Sequence, residues 1–127
     1  MASIKVLVLS GGEFEARNIP NTLDALQEIV GGYIEIPYIS DNLGEYNIDI
    51  IINEEGKFIG GMNKEIAVVD KSTNKVLDII FGNCIFASTD EDGYTIGLTE
   101  EQISIVEKLL RGGIIFNDGS FARVLYI

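Results

Sequence analysis

The chain has 127 residues, enough for one domain of ordinary size. Its 46% hydrophobic and 23% charged residues lie near globular averages, which excludes global disorder, and no apolar run reaches the roughly 18–20 residues that span a bilayer. With 9 basic residues against 20 acidic ones, the net charge of −11 opposes binding to nucleic acid or to anionic membranes.

The N-terminal residues Met1-Ala-Ser-Ile-Lys-Val lack the basic region and cleavage site of a signal peptide. Val6–Leu9 reads instead as a buried, β-branched-rich strand, ended by Ser10-Gly11-Gly12. Glu13–Asn18 follows as an exposed strand. Asn21 is the expected N-cap of a first helix, with Asp24 at the positive end of its dipole. Leu23, Leu26, Ile29 and Val30 share one face of that helix, and Gly31 takes the left-handed C′ position. Tyr33–Tyr38 alternates as a half-buried strand, and Asp41–Tyr46 is a polar loop.

Ile48–Ile52 is a near-continuous apolar strand. Asn53–Lys57 reads as a tight hairpin turn with Gly56 free to take positive φ, and Phe58-Ile59 as the start of the return strand. Ile66–Val69 is another strand, then a polar turn at Asp70–Lys75. Val76–Ala87 is β-prone and broken at Gly82-Asn83, and Asp90–Gly93 is a further turn. Thr99-Glu-Glu-Gln102 is a capping box opening a second helix, with Ile103, Val106 and Leu110 on one face and Gly112 as its stop. Ile114–Phe116 and Phe121–Tyr126 flank a turn and form a terminal β-hairpin. That hairpin needs a partner, either the domain's own sheet or another subunit. Strands and two helices without a βαβ rhythm give a single α+β domain over residues 1–127, with a mostly antiparallel sheet and a C-terminal hairpin.

Chemistry is sparsely equipped. Histidine is absent, which removes the commonest general base and metal ligand and every Ser-His-Asp or Cys-His arrangement. The lone Cys84 cannot bridge within the chain or build a zinc site, and its apolar neighbours mark it as a small buried hydrophobe. This cysteine usage points to a reducing cytoplasm. Gly11-Gly12 lacks the Gly-Lys-Ser/Thr and the following helix of a phosphate loop, so it reads as a plain turn. Asp90-Glu91-Asp92-Gly93 places its glycine at position four rather than six of a calcium loop, so it reads as a solvated hairpin turn. No catalytic residue, metal site or cofactor is expected.

The acidity has two readings, solubility and mimicry of nucleic acid. The acids fall in twos and threes at turns, which favours the first. One polar constellation stands out. Asn53, Lys57, Asn63 and Lys64 gather around the glycine-rich segment Gly56–Gly61, with Tyr33 and Phe81 able to stack on a ring. Such a cluster would suit a phosphorylated small ligand. The plainer reading is two ordinary turns with solvated lysines.

The chain also carries a set of spaced motifs: Asn21-x-Leu23-x-x-Leu26-Gln27-x-x-Val30-Gly31-Gly32-Tyr33-Ile34-Glu35, Asn53-Glu54-Glu55-Gly56-Lys57, Asn63, Asp78-Ile79-Ile80-x-Gly82-Asn83 and Leu98-Thr99-x-Glu101. Over about residues 4–110 it resembles a family of domains of unknown function found on phages and conjugative elements of bacteria, leaving the terminal hairpin at 113–127 outside the match as a candidate oligomerisation element. Many relatives have Asn-Arg where this chain has Asn63-Lys64, which lacks the flat, bidentate guanidinium.

The resemblance implies a mobile-element setting, in which small proteins without catalytic residues counter host defence. One such class looks like a nucleotide sponge, an oligomer that sequesters a cyclic nucleotide alarm signal, for instance that of the CBASS system. The expectation is therefore a non-enzymatic homo-oligomer, dimer or tetramer, in the cytoplasm of an infected bacterial cell. It would bind a cyclic dinucleotide such as cyclic GMP-AMP. Tyr33 and Phe81 would stack on bases, Asn53, Asn63 and Asn83 would read base edges, and Lys57, Lys64 and Arg123 would meet phosphates. The alternative is an acidic protein–protein inhibitor or DNA mimic acting on a host defence nuclease or regulator.

Overall fold

In a computed structural model, which describes residues 2–127, the chain is an α+β fold built on two sheets. The elements in order are β1 (Ser3–Ser10), β2 (Glu13–Pro20), α1 (Leu23–Val30), β3 (Ile34–Glu35), α2 (Asp41–Glu45), β4 (Asp49–Asn53), β5 (Lys64–Val69), β6 (Val76–Phe81), β7 (Cys84–Thr89), β8 (Thr95–Ile96), α3 (Glu100–Leu109), β9 (Gly113–Ile115) and β10 (Phe121–Tyr126). One sheet runs β2-β1-β7-β4-β3, with β8 also pairing β7, and is antiparallel throughout. The other runs β6-β5-β10-β9, antiparallel except for the parallel pair β5–β10. No helix among the described residues is long and apolar enough to cross a membrane.

The apolar runs are continuous because both faces of the first sheet are covered. Leu7, Leu9, Ile50 and Phe86 face the second sheet's Ile66, Val68, Ile80 and Leu125, and α3 adds Ile103 and Val106 to this main core. Val6, Val8, Ile51 and Ile85 point the other way, onto Leu26 and Val30 of α1. A strand buried on both sides loses the polar alternation of a half-solvated one. Each fully buried aliphatic side chain contributes about 1.5–3 kcal/mol.

Several local readings hold. Thr99 and Gln102 form the capping box, Gly31 has φ 82° at the end of α1, and Gly82, Gly93 and Gly119 take positive φ at the breaks between strands. Others need correction. The N-cap of α1 is Thr22, whose hydroxyl accepts from Ala25 N–H; the Asn21 N–H continues the ladder to the Ala2 carbonyl and its side-chain amide donates to the Thr95 carbonyl. Asp41–Glu45 is a short helix rather than a loop, opened by the Ser40 hydroxyl accepting from Asn42 N–H. The Tyr33–Tyr38 strand shrinks to Ile34–Glu35. Residues 53–57 do not close a hairpin: β4 pairs with β3 and β7, and Phe58-Ile59 lie in turns. Gly56 is needed for space rather than for positive φ, since a Cβ there would sit 2.7 Å from the Phe81 carbonyl oxygen. Helix α3 stops at Leu110 without a left-handed Gly112.

The terminal hairpin returns to the domain's own sheet. β10 lies between β5 and β9, with Ala122, Val124 and Leu125 buried, so it is integral to the fold.

Candidate functional site

The expected site residues occupy separate parts of the surface. Asn53, Lys57 and Phe81 line a cleft of about 450 Å³ between β6 and the segment after β3. Tyr33, 70% exposed, lines a second depression of about 290 Å³ with Gly31, Gly32 and Asn53. Asn63 and Lys64 line a third, of about 410 Å³, beside Gly11, Gly12 and Phe121. Asn83 and Arg123 line none of these three.

Most of these side chains already have partners. Lys57 pairs with Asp78. Lys64 Nζ donates to Asp118 Oδ2 at 3.0 Å and to Ser120 Oγ at 2.8 Å, and lies 5.1 Å from the Phe116 ring centre. Hydrogen bonds from the Ser120 hydroxyl and N–H, then from Lys64, hold the Asp118 carboxyl well below the usual carboxylate range. Arg123 donates to the carbonyls of Gly12 (2.9 Å) and Leu110 (3.1 Å), and its guanidinium stacks over Phe14 at 4.6 Å. It ties two loops together. Asp90 Oδ1 accepts from Asp92 and Tyr94 N–H, as a hairpin turn requires. Among the described residues no group of three or more Cys, Asp or Glu side chains could hold a metal ion.

Two of the three asparagines expected to read base edges, Asn53 and Asn83, hold a helix end. Asn53 is buried; its Nδ2 donates to the Val30 carbonyl at 3.2 Å and its Oδ1 accepts from Glu55 N–H at 2.8 Å. Asn83 Nδ2 donates to the Ile29 carbonyl at 3.1 Å. Both carbonyls lie at the C-terminal end of α1, where no further helical N–H can reach them. A Cβ on Gly32 would collide with Asn53, and one on Gly82 with Met62.

Residues 4–111 match the model of a family described as "Domain of unknown function (DUF3846)". The chain belongs to that family. No curated protein and no solved structure matches it. In this DUF3846 domain the motif residues Gly31, Gly32, Asn53, Gly56, Gly82 and Asn83 converge on one joint. They lock α1 to β4 and to the β6–β7 turn, which accounts for them as structure. The matched region stops before β10, although β10 sits inside the second sheet.

What sequence reasoning missed is the apolar part of the cleft. Ile52, Val68 and Ile80 form its floor, while Tyr38 (76% exposed), Phe58 (85%) and Leu77 (55%) stand open to solvent around it. Glu35, Glu54 and Asp78 line it too, and Lys57, bound to Asp78, is its one cationic lining residue. The signal lies in Phe58, an apolar residue close to Gly60-Gly61 with no strand alternation, although locally Phe58-Ile59 reads as the start of a strand.

A buried charge was also missed. Glu65, 1% exposed, accepts from the N–H groups of Gly11 (2.8 Å) and Gly12 (3.0 Å). With φ of 60° and 81°, these glycines turn successive N–H groups toward one carboxylate. The turn therefore does cradle an anion, one supplied by the chain itself. Burial, then the nearby Glu65 carboxylate, pushes the Cys84 thiol far above its ordinary range.

Proposed function

We propose that this protein is a non-catalytic binding protein whose cleft takes an apolar, positively charged segment of a partner protein. The observation that carries this is the cleft's composition: apolar floor, exposed Tyr38, Phe58 and Leu77, and carboxylates of Glu35, Glu54 and Asp78 around them. Large exposed side chains gathered round one depression mark interaction surfaces. The carboxylates, within a chain of net charge −11, select basic flanks on the partner and speed its approach. In the mobile-element setting that the resemblance implies, such a partner would be a host defence nuclease or regulator.

The cyclic-dinucleotide reading stands second. Lys57, Lys64 and Arg123 are already bound to carboxylates or carbonyls, so phosphate would have to displace those partners. Its support is the set of aromatic rings at the cleft, Tyr38, Phe58 and Phe81, which could stack on bases.

Fluorescence polarisation with labelled peptides carrying aliphatic anchors and Lys/Arg flanks tests the first reading. Binding should weaken as salt rises and should fall at least about tenfold in Leu77→Asp, which puts a charge among the anchors. No peptide binding, together with a rise in melting temperature on adding cyclic dinucleotides, would replace the first reading with the second.

A further inference from the structure

The longest unpaired main-chain edge in the fold belongs to β2. It has eight residues, pairs with β1 alone, and is exposed from Glu15 to Asn18. The other sheet ends are blunter. β3 has two residues and β9 three, and on β6 the Ile79 N–H is already taken by the Asp78 carboxylate. Lysine is absent from β2, and its proline stands at the end, Pro20, so neither common edge guard interrupts its middle.

The hairpin geometry fixes which groups of β2 face outward. Ser10 and Glu13 flank a two-residue turn with both φ positive, so they exchange their main-chain bonds with each other. Odd-numbered residues of β2 then face β1, and the Asn21 N–H bond to the Ala2 carbonyl continues that parity. Phe14, Ala16 and Asn18 therefore present their N–H and C=O groups to the free edge. So does Pro20, which has no N–H.

We infer that β2 is a homodimer interface, pairing antiparallel with β2 of a second copy about a two-fold axis at Ala16. In this register Ala16 faces its own counterpart and Phe14 faces Asn18 of the second copy. Every such pair has outward-facing groups at both positions and can exchange both bonds. Glu15 stands opposite Arg17, and by symmetry Arg17 opposite Glu15, which converts an ion pair within the strand into an alternating ladder of charge.

The neighbouring registers that keep the parity fail. Centring on Arg17 places two arginines face to face and puts Pro20, without a donor, opposite Phe14. Centring on Glu15 places two glutamates face to face. Charge and hydrogen-bond parity thus select one register and one occupant, a second copy of this chain. The interface is small and polar, so the dimer should dissociate on dilution.

Sedimentation velocity over a dilution series of the full chain tests this. The wild type should move from dimer to monomer mass on dilution. Ala16→Pro removes an N–H that β1 does not use, so the variant should keep its circular dichroism and sediment as a monomer. Arg17→Glu should weaken the dimer about tenfold by setting glutamates opposite each other, and the exchange Glu15→Arg with Arg17→Glu should restore it. A wild type that is monomeric at every concentration overturns the inference. So does a folded Ala16→Pro variant that remains dimeric. Should Ala16→Pro not fold, unchanged dimerisation of Arg17→Glu overturns it equally.

Discussion

Gly32 lies directly against the side chain of Asn53: a Cβ on Gly32 would sit 2.8 Å from Asn53 Nδ2. That amide is not free to step aside, because it bonds the Val30 carbonyl while its oxygen holds Glu55 N–H. Asn53→Ala should destabilise the fold by about 1–3 kcal/mol, since it leaves the buried Val30 carbonyl without a partner. Gly32→Ala should also destabilise it, and should cost less in an Asn53→Ala background than alone. Urea unfolding of the two single variants and the double variant measures that coupling. Additive effects would show that the two positions do not meet.

The carboxylate of Glu65 is the second joint. Glu65→Gln keeps one good acceptor but turns an NH₂ toward a glycine N–H, leaving a buried donor facing a donor. The expected loss is about 1.5–3 kcal/mol, the range for a hydrogen bond to a charged group. The midpoint of chemical unfolding reads it directly, and an unchanged midpoint would mean that water replaces the carboxylate freely.

Cys84 is fully buried, its Sγ 3.4 Å from the Gly82 carbonyl, and its thiolate is disfavoured by burial and by Glu65. A disulfide reagent such as Ellman's should therefore label it only through opening of the fold. The labelling rate should rise with urea in step with unfolding. Fast labelling in native buffer would contradict the packing around β7.

Deleting Gly113–Ile127 removes β9 and β10, leaves β5 without its parallel partner and takes Ala122, Val124 and Leu125 out of the interior. The truncated chain should lose its cooperative thermal transition, even though it retains the whole region matched by the family. A sharp transition with wild-type circular dichroism would show that β10 is dispensable.

Local chemistry in the chain was enough to place most elements. The capping box at Thr99, the left-handed Gly31, the break at Gly82-Asn83 and the turn at Asn117–Ser120 act within a few residues, so their spacing states their role. Thr22 is hidden as a cap by its neighbour Asn21, which offers an equally good side chain, and Ser40 is hidden because the short, polar α2 it opens reads as a loop. Which strands pair was beyond local reach. β4 follows no hairpin rule, and β10 joins β5 in parallel across five intervening elements. For the site, the sequence supplied the family motif and the lack of histidine, but not the use of the motif. Asn53 and Asn83 look like ligand-reading amides until the fold brings the Val30 and Ile29 carbonyls to them. Glu65 looks like a surface acid until Gly11 and Gly12 close over it. Hydrogen-bond partners distant in sequence are assigned by topology, so residue type fixed what each side chain could do and only the tertiary structure decided what each one does.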